Sequence, residues 1–145
     1  MSIADYRQSA PATARPDESV RDAAKRMQQL GIGSLVVVDE LERPVGMLTD
    51  RDIVQNVVRR RRDPDAVAIE EVMSRDVVSV WNRAPLVRVF HRMRQEGVRR
   101  VLSVDSEGKL DGIVTYDDVL PLVAKDLSLA AEVIRAQAPG ARSDS

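Results

Sequence analysis

The chain spells one nine-residue phrase twice. "GMLTDRDIV" occupies residues 46–54 and "GIVTYDDVL" residues 112–120, each with glycine, two apolar residues, threonine, two variable residues, aspartate and two more apolar residues. Both belong to a longer internal repeat. At a constant offset of 66 residues, the distance from Gly31 to Gly97, residues 31–54 align with 97–120 without a gap. Identical pairs are Gly31/Gly97, Val38/Val104, Asp39/Asp105, Gly46/Gly112, Thr49/Thr115 and Asp52/Asp118. The match continues upstream through Arg26/Arg92, Met27/Met93 and Gln29/Gln95 to Thr13 and Ser79, where it fades. A repeat of this length means that one supersecondary unit occurs twice, and that neither copy has much core alone.

Each copy reads as β-α-β-β-α. A short strand around residues 12–14 matches one at 77–80. A helix follows, with Val20, Ala23, Ala24 and Met27 at helical spacing in copy one and Leu86, Val89, Phe90 and Met93 in copy two. Gly31 and Gly97 stand where a helix C-terminus favours a left-handed residue. "SLVVVD" and "RVLSVD" are β-branched runs ending in an aspartate turn, and "VGMLT" and "DGIVT" are the return strands. A second helix begins at Asp52 and at Asp118, with Pro121 tolerable in its first turn. The fold class is therefore α/β (α+β), two repeats facing each other about a pseudo-twofold axis. The expected division is residues 1–62 for repeat one with its N-terminal segment, 63–74 for a linker with a short helix at 69–73, 75–125 for repeat two, and 126–145 for a C-terminal helix and tail.

Composition narrows the function. Lys+Arg 22 against Asp+Glu 23 leaves a net charge of -1, so general nucleic-acid binding is disfavoured. There is no cysteine and a single histidine, which excludes thiolate chemistry and a histidine cluster. No apolar run reaches the roughly 20 residues of a membrane span, and "MSIADYRQSAPATARP" has no apolar core of a secretion signal. The expected location is cytoplasmic, with no membrane partner.

The two stretches "GIGSLVVVDELERPVGMLTDRDIV" and "GVRRVLSVDSEGKLDGIVTYDDVL" resemble a tandem pair of cystathionine-β-synthase (CBS) domains, each carrying the family's G-h-x-[ST]-x-x-D element, with h apolar. "VMSRDVVSV" at residues 72–80 resembles the family's lead-in to a repeat, and copy one lacks a clean version of it. The resemblance implies a regulatory module for an adenosine ligand (AMP, ADP, ATP, S-adenosylmethionine or an NAD-type compound) with up to two clefts between the repeats. It also implies a homodimer that signals to another protein.

The threonine and aspartate admit two readings. Thr-x-x-Asp before a helix is a capping box. The same hydroxyl at a helix N-terminus also suits a phosphate, and a carboxylate one turn in can accept from both ribose hydroxyls. The resemblance assigns Thr49 and Thr115 to phosphate or ribose and Asp52 and Asp118 to ribose, with Gly46 and Gly112 keeping the wall bare. Further lining is expected from the strand starts Gly33, Ser34, Leu35 and Arg99, Arg100, Val101, and adenine is expected against Thr13, Ala14 and Val78, Ser79, Val80. Arg51 in "TDRD" favours a phosphate, whereas Asp117 in "TYDD" opposes one unless Arg99 and Arg100 offset it, so unequal sites are expected.

The remaining features read as structural. Arg59 to Arg62 suit the solvated end of a helix. His91 lies on a helix with no catalytic companion, and Trp81 reads first as a packing residue, the alternatives being the edge of a ligand cleft or a dimer face. Leu127, Ala130, Ala131, Val133 and Ile134 form a helical stripe expected to dock on the core or on a second subunit, and "APGARSDS" is expected to be disordered. With no nucleophile–base pair, metal cluster or phosphate loop, an enzyme is not expected. The alternative to a nucleotide sensor is a ligand-independent scaffold.

Overall fold

The computed structural model describes residues 2–9 and 11–137. The 66-residue offset reappears in the pairing of its strands. In copy one, β2 (Thr13–Ala14) runs parallel to β3 (Ser34–Val38), which turns back antiparallel into β4 (Pro44–Thr49). In copy two, β5 (Ser79–Trp81), β6 (Arg100–Val104) and β7 (Leu110–Thr115) repeat this with the register moved by 66. Even the irregularity near the strand end recurs, between Val37 and Val38 and between Ser103 and Val104. β1 (Gln8–Ser9) adds to the far edge of copy two, giving the order β1-β7-β6-β5 beside the three-stranded β2-β3-β4.

Helix α1 (Val20–Leu30) and helix α3 (Leu86–Glu96) make the parallel crossovers, and both end as the glycines foretell: Gly31 has φ 64 and Gly97 φ 65. The identical aspartates also have a local cause. Asp39 Oδ1 accepts from the N–H groups of Leu41 and Arg43, both at 2.9 Å. Asp105 Oδ1 accepts from Glu107 and Lys109 at 2.8 and 2.9 Å, so one carboxylate holds each hairpin.

The second helices start two residues earlier than expected. α2 (Asp50–Ile53) runs into a wider π-turn at Val54–Val58, and α4 is a single helix, Tyr116–Ala136. Thr49 and Thr115 are their N-caps, so the threonine and not the aspartate marks the boundary. Pro121 consequently falls past the first turn, inside α4.

Apolar alternation along each strand builds three layers. Leu35, Val37 and Leu48 face α1, while Val101 and Val114 face α3. Val36 and Val38 meet Leu102 in a layer between the sheets, joined by Met47 and Ile113. The repeats thus bury their inner faces against each other, as two half-cored units must.

The repeats also exchange their leading segments. Ile3 is buried with Leu86, Val89 and Val119 of copy two, and Ile69 with Val20, Leu35 and Val57 of copy one. The main-chain bonds correspond. Ile3 N–H donates to the Ala84 carbonyl at 3.0 Å and Ile69 N–H to the Glu18 carbonyl at 2.9 Å. Gln8 pairs with Ile113 as Ser74 pairs with Met47. Copy one therefore has a lead-in after all, beginning at Ile3; apart from the Ile3/Ile69 pair its identities are gone, but its packing remains. Within the residues read as a linker, 63–74, Val67, Ile69 and Val72 are buried in copy one's core and Met73 packs against it.

Candidate functional site

A cavity of about 510 Å³ opens between the repeats, at the N-terminal ends of the copy-two strands. Met47 of β4 supplies the wall from copy one. Asp76, Val77 and Val78 line it just ahead of β5, Val98, Arg99, Arg100 and Leu102 from the β6 side, and Thr115 and Asp117 from the capped start of α4. These pieces converge because β5 and β6 are parallel neighbours and β7 returns beside β6, so two strand starts and one helix start lie at the same edge.

The charges are arranged in a chain. Arg99 lies over the Tyr116 ring, 5.4 Å from its centroid, and Nη2 reaches Asp117 at 2.5 Å. Tyr116 in turn meets Phe90 edge-on at 6.1 Å. Asp117 is thereby offset by Arg99, as the sequence allowed. Arg100 has no side-chain hydrogen bond or ion pair among the described residues, and its guanidinium is the cation this cavity can turn toward an anion. The Thr115 hydroxyl accepts from Asp118 N–H at 3.3 Å while it lines the cavity, so capping and lining coexist at one residue.

Copy one is arranged differently. Thr49 Oγ1 accepts from Asp52 N–H at 3.1 Å and Asp52 Oδ2 accepts from Thr49 N–H at 2.9 Å, a capping box closed on itself. The Asp50 carboxylate crowds Gly33, where a Cβ would meet its oxygen at 3.1 Å. Thr13 is engaged through its carbonyl, which accepts from Arg26 Nη1 at 2.8 Å. Thr13, Ala14, Gly33, Ser34, Thr49, Arg51 and Asp52 do not line the copy-two cavity.

Several expectations are corrected by strand parity. The side chains of Leu35 and Val101 are buried in the layers beneath α1 and α3, and Ala14 joins the first of these. They turn away from the cleft because neighbouring residues of a strand face opposite sides. Ser79 and Val80 line a separate cavity with Trp81, which is 53% exposed in the single chain and so is not part of its buried core. Gly46 does not keep a wall bare for a ligand. A Cβ there would lie 2.6 Å from Met73 Sδ and 2.8 Å from the Ser74 carbonyl, so the glycine admits the exchanged segment; Gly112 pairs with Ser9 of the other lead-in. The sequence missed Met47, Asp76, Val77, Val98 and Leu102. Val98 was within reach, since it directly follows the left-handed Gly97 and lies two residues ahead of β6.

Other features fall as follows. Arg62 pairs with Glu71 at 2.7 Å, Arg59 reaches the Gln55 carbonyl at 3.3 Å, and His91 is exposed on α3. Leu127 and Ile134 are 71% and 75% exposed, so the stripe on α4 does not dock on its own core. "APGARSDS" lies outside the described residues. Among the described residues no group of three His, Cys, Asp or Glu side chains could hold a metal ion, and no helix is long and apolar enough to cross a membrane.

Two half-cored β-α-β-β-α units sharing one inter-sheet layer, with a polar cleft at the strand ends between them, define a tandem-repeat cleft protein. The chain belongs to the CBS domain family: its model matches twice, at residues 3–59 and 69–125. Both matches start at the exchanged isoleucines. An uncharacterised protein of Methanopyrus kandleri is 36% identical over 120 residues, covering 83% of this chain and 61% of that one. An uncharacterised 17.7 kDa protein of Acidianus ambivalens is 36% identical over 105 residues, 72% of this chain and 62% of the relative. The chain thus spans about three fifths of both. The CBS domain pair of protein MJ0100, solved with 5'-methylthioadenosine and S-adenosyl-L-methionine, is 28% identical with a TM-score of 0.70, over 87% of this chain and 98% of that one.

Proposed function

We propose that this chain is a regulatory module that binds an adenosine-containing ligand in the copy-two cleft and signals its presence to a partner protein. The observation that carries the reading is the convergence of the Thr115 hydroxyl, the unpaired Arg100 guanidinium and the strand lead-in at Val78 around one cavity of about 510 Å³, a volume suited to a ligand of nucleotide size. Thr115 would take the ribose, with Asp118 behind it in the first turn of α4 and outside the cavity lining; Arg100 would take a phosphate or carboxylate, and the main chain at Val78 the adenine edge. The related pair crystallised with 5'-methylthioadenosine and S-adenosylmethionine supports that ligand class. With Asp76 and Asp117 on the same wall as Arg99 and Arg100, the cleft favours a ligand of low net charge over a triphosphate.

The exposed apolar face of α4, with Leu127, Leu129, Val133 and Ile134, supports a second copy of the chain as the neighbour that covers it. A ligand shifts the equilibrium of such an assembly only by its differential affinity for the two arrangements.

The test is a thermal-shift and calorimetric series with AMP, ADP, ATP, 5'-methylthioadenosine and S-adenosylmethionine on the wild type and R100A. At 100 times its dissociation constant a ligand adds about 2.7 kcal/mol of stability, a readily measured shift. One filled cleft is expected, weakened in R100A. No shift with any adenosine compound at millimolar concentration would end the proposal. The scaffold reading is favoured by the closed Thr49–Asp52 box, and an Asp118→Ala variant that changes only stability would establish it.

A further inference from the structure

The repeat provides an internal control for a second cavity. In copy one, the loop before α1 is closed by a carboxylate. Glu18 accepts from Arg26 Nη2 at 2.5 Å and Nη1 at 3.2 Å, and from the Arg15 main-chain N–H at 2.6 Å. At the offset of 66, Arg26 becomes Arg92, Arg15 becomes Trp81 and Glu18 becomes Ala84. The backbone is the same in both places, because Ile69 bonds the Glu18 carbonyl as Ile3 bonds that of Ala84. Copy two therefore keeps the guanidinium and lacks the carboxylate. In its place lies a cavity of about 470 Å³, lined among others by Trp81, Ala84, Pro85, Arg88 and Arg92.

The electrostatics change in the same sense. Asp22 of copy one is replaced by Arg88, which has no side-chain partner among the described residues. Arg92 keeps one ion pair, an exposed 3.5 Å contact with Glu96. Val78 and Asn82 make ladder bonds to β6, so by strand parity the Trp81 N–H turns to the open edge of the sheet, as the Arg15 N–H does toward Glu18. Two cations and a main-chain donor thus surround the space that a carboxylate fills in the other half.

The geometry points to a second binding site here, taking a carboxylate that carries an apolar or aromatic body. The carboxylate would occupy the place of Glu18, forked by Arg92 and met by the Trp81 N–H, with Arg88 adding charge. The body would lie against the exposed indole and Pro85, an apolar wall that a bare inorganic anion cannot use. This site is distinct from the inter-repeat cleft and does not depend on adenosine binding.

Trp81 is the sole tryptophan of the chain, so its fluorescence reads the cavity directly. The full-length protein is titrated at constant ionic strength with benzoate, with benzamide as the neutral control. A blocked Phe-Glu peptide and its Phe-Gln counterpart are titrated in parallel. We expect a saturable change with an anionic probe and none with its neutral partner. A84E, which restores the carboxylate of copy one, should abolish it while keeping the fold. R92Q should weaken it about tenfold or more. Response to benzoate assigns a small-molecule acid, and response to the Glu peptide alone assigns an acidic side chain of a partner protein. No response to either anion, an equal response to the neutral probes, or unchanged affinity in R92Q would overturn the site.

Discussion

Ile3 and Ile69 stand 66 residues apart in the chain, and each is fully buried in the core of the repeat that does not follow it. The exchange ties the two halves more firmly than the inter-sheet layer of Val36, Val38 and Leu102 alone. I3A and I69A should each cost about 2–5 kcal/mol, the range for emptying a buried isoleucine site. Urea unfolding followed by circular dichroism should show one cooperative transition in both variants. Two separated transitions would show that the halves unfold independently.

Gly46 is held in place by sterics. Gly46→Ala drives a methyl into the Ser74 carbonyl and Met73 Sδ, and the main-chain oxygen cannot swing aside as a side chain would. The expected loss is about 1–3 kcal/mol in chemical denaturation. Unaltered stability would mean that the exchanged segment is loosely held.

The two threonines should separate in their effects. Thr49→Ala opens a capping box and should cost about 0.5–2 kcal/mol of stability, with adenosine-ligand affinity unchanged. Thr115→Ala should lower both stability and affinity, because this hydroxyl caps α4 and lines the cavity. Denaturation and calorimetry on the same samples make the comparison.

Glu18 links stability to pH. The hydrogen-bonded Arg26 guanidinium holds its carboxyl below the ordinary glutamate range, against an opposing desolvation. A carboxyl whose folded pKa is depressed stabilises the protein above its unfolded value and loses that contribution as pH falls through the folded one. E18Q should therefore melt below the wild type at neutral pH. The gap should close as both are titrated from about pH 7 to about pH 3. A gap that widens on acidification would contradict the assignment.

The outer face of α4 should govern assembly. In sedimentation, the double variant L127E/I134E should run as a smaller species than the wild type with its circular dichroism unchanged, since both side chains are exposed in the single chain. A wild type that sediments as a monomer at high concentration would remove the second copy from the proposal.

Much of the fold was legible because its causes are local. The left-handed φ of Gly31 and Gly97, the Asp39 and Asp105 turns and the Thr49 and Thr115 caps each act within a few residues, and each left an identity in the repeat. The lead-in beginning at Ile3 was not legible. Its function in the fold is to fill a hole in the other half with one apolar side chain, so only the isoleucine is shared between residues 3–9 and 69–75, and a single identity does not read as a repeat.

The cleft divides along the same line. By itself the sequence determined that two like units exist, where their helices start and stop, and which charges stand near each helix start, because propensity, capping and turn chemistry are short-range. Only the tertiary structure set the two halves apart: Asp50 lies against Gly33 in copy one, whereas in copy two Arg99 lies over the Tyr116 ring and lines a cavity. It also turned Leu35 and Val101 inward and left Arg92 without the carboxylate that Arg26 holds. Those outcomes depend on which side chains meet across 66 residues of chain, and contacts at that distance are set by packing, on which local patterns bear no mark.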